Sequence, residues 1–196
     1  MDAQLVGEAI RQVVMEDLQK GQSSRIGFFL RENAKGGWEP WLQVESALAI
    51  RAAHRSDLAF LFEREVQYPA LGIKCDLCIT PDANAAKPGR GAPIWVELKT
   101  QRSGVYAGAI KDMKTDISKF IAHSAAKTDV LVAAAVLTGG AAVQADLKDL
   151  QTTLKSNSHL QCFRWPAGGA KWDQIVPGSV AHPATDILFV MWKNSK

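Results

Sequence analysis

Cysteine is scarce in this chain, with three among 196 residues: Cys75, Cys78 and Cys162. So small a number suits a reducing compartment. Cys75-x-x-Cys78 looks like half of a zinc knuckle or a redox pair, yet no second pair completes it. The four histidines, His54, His123, His159 and His182, fall at no ligand spacing. On a regular strand, side chains three apart point to opposite faces, so the two thiols are expected to diverge and to sit buried and free. Long apolar runs are missing as well. The most apolar stretch, residues 130–143, is too short to cross a membrane and contains Thr138-Gly139-Gly140, so it reads as a core strand. The N-terminal segment, with Asp2, Glu8, Arg11, Glu16 and Asp17, reads as an amphipathic helix without the apolar centre of a signal peptide. Cytoplasmic residence is the default expectation. The formal net charge of +3 neither demands nor forbids a nucleic-acid partner. Leu137-Thr138-Gly139-Gly140-Ala141 lacks the glycine spacing and the lysine of a phosphate cradle and reads as a tight turn. No repeat or linker divides the chain, and a 47% hydrophobic composition gives a single domain, residues 1–196, ample core.

Three polar residues in apolar surroundings carry the functional information. Ile94-Trp95-Val96-Glu97-Leu98-Lys99 and Cys75-Asp76-Leu77-Cys78-Ile79 are short, rich in β-branched and apolar residues, and bounded by Pro, Gly and Asn, so each reads as a buried strand. Alternation puts Glu97 and Lys99 on one face and Ile94, Val96 and Leu98 on the other, and sets Asp76 opposite Cys75, Leu77 and Ile79. If these strands pair, one sheet face carries two carboxylates and an ammonium. Magnesium prefers such oxygen ligands, completed by waters and substrate phosphates. A lysine beside it can orient or deprotonate a water, or stabilise charge on a phosphate.

A third carboxylate lies upstream. Pro40 suits a first helical position, and Trp41, Leu48 and Ala52 recur at i, i+7 and i+11 with Glu45 at i+4, so the Glu45 carboxylate is expected to face the core. Glu39, Gln43 and Arg51 lie off that stripe and read as solvated. Residues 62–68 form a first strand, and 107–122 a helix whose stripe is Ile110, Met113, Ile117 and Phe120. Asp129 then opens a strand over 130–137 that is apolar on both faces, as at a sheet centre.

Glu45 on a helix, Asp76 on a strand and Glu97-x-Lys99 on the next resemble the PD-(D/E)xK nuclease superfamily over roughly residues 38 to 137. Cys75 stands where the name motif often has proline. The resemblance implies an α/β fold with a mixed α+β sheet: a restriction-endonuclease-like αβββαβ core, preceded by an N-terminal helix and followed by a C-terminal α/β extension. It implies that Glu45, Asp76 and Glu97, with the Leu98 carbonyl, ligate Mg2+ or its substitute Mn2+, and that Lys99 positions the attacking water. The reaction would be phosphodiester hydrolysis, with DNA as the expected partner and a homodimer by analogy with duplex-cutting enzymes.

The remaining signals admit two readings each. Gln101 continues the parity of Lys99 and either contacts substrate or caps a strand end. Arg102, Lys111, Lys114, Lys119 and Lys127 either neutralise phosphates or, with Asp112 and Asp116, make an ordinary mixed-charge face. Lys87 and Arg90, in the hairpin loop 81–93, either reach a phosphate backbone or sit on an inert loop. Residues 142–154 read as a helix, and 160–165 and 185–192 as strands that extend the sheet or pack on its edge. Trp165, Trp172 and Trp192 are expected as core anchors. The constellation itself has a bland alternative, a salt-bridge network around Lys99. Two functions compete: a magnesium-dependent nuclease, and a nuclease-fold protein that binds nucleic acid or a protein partner without cutting.

Overall fold

Val6, Ile10, Val13 and Val14 recur at helical spacing, and Asp2 caps the first turn by accepting from the Gln4 N–H at 3.0 Å, so Ala3–Leu18 forms α1. A 3-10 turn, Gly21–Ser23, leads to α2, Arg25–Arg31. The buried Asp17 carboxylate ties the two helices by accepting from the Ile26 N–H and the Ser24 hydroxyl, both at 2.8 Å. The computed structural model describes residues 1–31, 38–54, 59–68, 74–87, 89, 91–101, 108–123, 129–154, 159–177, 179 and 182–194.

Next come α3 (Glu39–Ala53), with Pro40 in its first turn, and an antiparallel meander of β1 (Phe60–Gln67), β2 (Lys74–Pro81) and β3 (Ile94–Thr100). The crossover helix α4 (Gly108–His123) returns the chain to β4 (Val130–Thr138), parallel to β3. This α-β-β-β-α-β order is the one expected from the sequence. Beyond it lie α5 (Ala141–Thr153), β5 (His159–Trp165), the short β6 (Asp173–Ile175) and β7 (Ile187–Lys193).

Sheet order is β1-β2-β3-β4-β7-β5-β6, a seven-stranded mixed sheet. β4 sits at its centre and is buried on both faces, as its unbroken apolar run requires. One face packs Ile94, Val96, Leu98, Val132 and Met191 under α1 and α3. The other packs Trp95, Leu131, Ala133 and Trp192 under α4 and α5. Trp165 and Trp192 are buried and Trp172 packs against the first of these cores, so all three serve as anchors. Among the described residues no helix is long and apolar enough to cross a membrane.

One expectation fails here. Cys75 and Cys78 do not diverge: both are buried in the core beneath α4. Strand β1 behaves likewise, with Phe60 and Phe62 packed on the α1/α3 side but Val66 and Tyr68 on the α4/α5 side. Both strands turn over at the opposed residues Glu65 and Asp76, where the ladder skips one pair between Arg64–Leu77 and Val66–Cys75. Glu65 there has φ 55°, the left-handed region that non-glycine residues seldom occupy.

Candidate active site

The turnover frees Asp76 from both neighbours. Pairing of β2 with β3 stops at Leu77–Val96, one step before Asp76 would face Glu97. The Leu98 N–H, without a strand partner from β2, donates to Asp76 Oδ2 instead. N–H and C=O of a strand residue point to the same side, so the Leu98 carbonyl also faces the β2 side. Gln43 of α3 donates from Nε2 to Asp76 Oδ1 at 2.8 Å and to Glu65 Oε1 at 3.1 Å. Its own Oε1 accepts from Arg64 Nε at 3.0 Å and Nη2 at 2.6 Å.

Glu97 and Lys99 share the α4 face, as alternation predicts. Lys99 Nζ lies 3.1 Å from Glu97 Oε2 and 3.0 Å from Asp116 Oδ2, and Asp116 Oδ1 is 3.6 Å from Lys119 Nζ. Burial pushes the Glu97 carboxyl up to about 7; Lys99 opposes the shift, and the Asp76 and Asp116 charges add to it. The Cys75 thiol also donates to Glu97. Burial likewise raises Asp76, against the Leu98 N–H and the Lys99 charge and with help from Glu65. For Lys99, burial works against the charge, but Glu97, Asp116 and Asp76 overcome it and leave the pKa above an ordinary lysine's. Lys99 is therefore an ammonium near neutral pH, able to orient a water or stabilise an anion. Burial holds Cys75 and Cys78 as neutral thiols.

Beside Lys99 opens a cleft of about 440 Å3, lined by Glu39, Thr100, Asp112, Thr115, Asp116 and Lys119 among others. It lies between the start of α3, the end of β3 and α4.

The structure thus brings Asp76, Glu97, Leu98 and Lys99 together but leaves Glu45 out. Glu45 is 40% exposed on a different side of α3, 3.8 Å from Arg25, in a hollow against α1. The sheet-facing residues of α3 are Leu42, Gln43, Ser46 and Ile50, and Leu48 of the expected stripe is 59% exposed. The bulky Trp41 and Leu48 misdirected the phase: Trp41 instead takes the Arg25 guanidinium over its ring. Gln43, expected to be solvated, is buried at the site, and Glu39, expected likewise, lines the cleft. A stripe Glu39-Gln43-Ser46-Ile50 at i, i+4, i+7 and i+11 was there to be read. Asp116 follows the same logic, one residue before the buried Ile117.

The expected substrate contacts fare differently. Gln101 is buried, and its Oε1 accepts from the Thr138 N–H at 2.6 Å and hydroxyl at 3.0 Å, which makes it the cap of a strand end. Lys111 is exposed on α4, Lys114 pairs with Asp149 at 2.6 Å, and Arg102, Lys127 and Arg90 lie outside the described residues.

Among the described residues, no three His, Cys, Asp or Glu side chains gather as a metal centre. Asp76 and Glu97 with the Leu98 carbonyl are a smaller, all-oxygen set. That donor chemistry fits magnesium, which keeps several waters and takes one or two carboxylates from the protein, better than it fits a fully caged ion. Compared with protein-family models, with curated proteins and with solved structures, the chain matches none.

Proposed function

We propose that this chain is a divalent-cation-dependent nuclease with a restriction-endonuclease-like core, hydrolysing phosphodiester bonds in DNA. The observation that carries the reading is the meeting of Asp76, Glu97 and Lys99 where β2 parts from β3, beside an open cleft. The α-β-β-β-α-β order of residues 39–138 supports it.

Asp76, Glu97 and the Leu98 carbonyl would hold Mg2+ or Mn2+. Such an ion, when bound, polarises the phosphate and makes a neighbouring water more acidic. The residues supply the rest. Asp76, Glu97 and Asp116 gather three carboxyls about Lys99, an arrangement whose ionised form a bound cation would favour. Lys99, clamped between Glu97 and Asp116, presents a fixed ammonium to the cleft, suited to orienting the incoming water and to offsetting charge on the phosphate's non-bridging oxygens. The water oxygen bonds to phosphorus as the P–O ester bond breaks, and the departing oxygen takes up a proton. Cutting both strands of a duplex would call for two copies of the chain.

A second reading, a nuclease fold that binds without cutting, is favoured by the partners the acids already have: Gln43 and Leu98 on Asp76, Lys99 and Cys75 on Glu97. The test is a cleavage panel of plasmid, linear, single-stranded and branched DNA with Mg2+ and Mn2+. Cutting that disappears in Asp76→Ala and Lys99→Ala, with unfolding transitions retained, supports the nuclease. A wild type that binds these substrates yet cuts none establishes the second reading.

A further inference from the structure

We infer that Gln43 is a positioning residue for Asp76, and that Arg64, whose hydrogen bonds go to Gln43 and not to Asp76, sets Gln43's orientation. The inference rests on the nuclease reading for its purpose and on hydrogen-bond chemistry for its content.

A guanidinium only donates and an ionised carboxylate only accepts, whereas a glutamine amide does both, at opposite ends. Gln43 lies between the two kinds of group. Its Oε1 takes two N–H bonds from Arg64, and its Nε2 gives to Asp76 and Glu65. Turning the amide over would set its oxygen against two carboxylates and its NH2 against a cation, so one orientation is strongly preferred. Arg64 enforces that choice from an exposed position on β1.

The effect on Asp76 is specific. Its two oxygens receive one donor each, Gln43 on Oδ1 and the Leu98 N–H on Oδ2, so the plane of the carboxylate is defined. Both donors are neutral. They orient the carboxylate without cancelling its charge, which stays available to a cation; an arginine or lysine in Gln43's place would compete with that cation. The two-residue turnover at Glu65 and Asp76 is what lets β1 and α3 reach this point together.

The test uses the full chain as wild type, Arg64→Met, Gln43→Met and the double variant. Mn2+ affinity is measured by calorimetry, and the Gln43 side-chain amide is followed by 15N NMR without metal. Arg64→Met should weaken Mn2+ about tenfold, in the range seen when groups supporting metal ligands are removed. It should also shift the Gln43 amide resonances and speed their exchange. The double variant should bind no more weakly than Gln43→Met alone, because Arg64 acts only through Gln43. Wild-type Mn2+ affinity in Arg64→Met, or losses that multiply in the double variant, would overturn the inference. Arg64 lies on the surface, so its variant is decisive even if Gln43→Met fails to fold. If wild type takes up no Mn2+, the nuclease reading falls, and the amide resonances alone decide: their indifference to Arg64→Met overturns the coupling, and their shift upholds it.

Discussion

Replacing Glu97 by glutamine gives a direct measure of what the site costs the fold. The Glu97 carboxyl titrates near 7 against 4.5 for an ordinary glutamate, and each tenfold displacement is worth about 1.4 kcal/mol, so its ionised form is disfavoured in the native state by about 3 kcal/mol. The side chain is only 5% exposed, so solvent screening takes little from that figure. The sign follows from proton uptake. The folded carboxyl holds its proton more tightly than the unfolded one, so this contribution is fully present below 4.5 and is lost as pH rises through about 7. Glutamine resembles the protonated acid and does not titrate. Glu97→Gln should therefore match wild type below the window and exceed it by about 3 kcal/mol above it. His54 and His182, whose pKa values burial lowers, tilt the curve the other way, but they are common to both proteins and cancel in the difference. Urea unfolding in EDTA, at pH values below, within and above the window, measures the difference. Parallel profiles for the two proteins would refute the reasoning, as would a wild type that gains on its variant across the window.

The remaining predictions concern Lys99, Glu45 and Gly139. Lys99→Met strips the cation from Glu97 and Asp116, and should cost about 3 kcal/mol above the same window but much less below it, where Glu97 is protonated; the same urea series reads this. Glu45→Ala should change stability by less than about 0.5 kcal/mol, because it loses only a 3.8 Å pair between largely exposed groups, and Mn2+ affinity should be unmoved by calorimetry. Gly139→Ala would place its Cβ 2.2 Å from the Pro183 carbonyl oxygen and 2.8 Å from that of His182. Backbone must shift to admit it, so a loss of about 2 kcal/mol or more is expected by thermal unfolding.

Most of the architecture was legible because strand and helix periods are local. The β4 run, the stripe Ile110-Met113-Ile117-Phe120 and the alternation of Glu97 and Lys99 against Val96 and Leu98 all survive in the structure. Phase was harder than period. On α3 Trp41, Leu48 and Ala52 pointed to one face, while the sheet accepts Leu42, Ser46 and Ile50 and carries Gln43 with them. A helix packed on both a sheet and a neighbouring helix has two faces to bury, and size alone does not say which is which. On the Trp41–Leu48 phase Glu45 points inward and Gln43 outward, and on the sheet-facing phase the two exchange places. Arg64 sits mid-strand on β1 and owes its place to Gln43 of α3, a partner distant in sequence, which no local pattern encodes.

The turnover at Glu65 and Asp76 joins these successes and failures. Regular pleating would seat Asp76 on the side of Cys78, in the apolar layer with Trp95, Leu131 and Ala133, and would leave Cys75 beneath α3. A carboxylate so placed would stand in register opposite Glu97, like charge against like, and would lose Gln43 and the Leu98 N–H. Because β1 and β2 reverse at the same opposed pair, the register on either side stays in step, Arg64 with Leu77 and Val66 with Cys75, and no inserted residue is needed. The penalty is concentrated in the left-handed backbone of Glu65, on the order of 1–3 kcal/mol. In return Asp76 leaves both ladders and gains Gln43 and the Leu98 N–H, while still feeling the Lys99 charge. The reversal that carries Cys75 across to the Glu97 side therefore also hands Asp76 to Gln43 and the Leu98 N–H; a strand rule applied without exception sets Asp76 near Glu97 and Lys99 but misses these two donors and the place of Cys75.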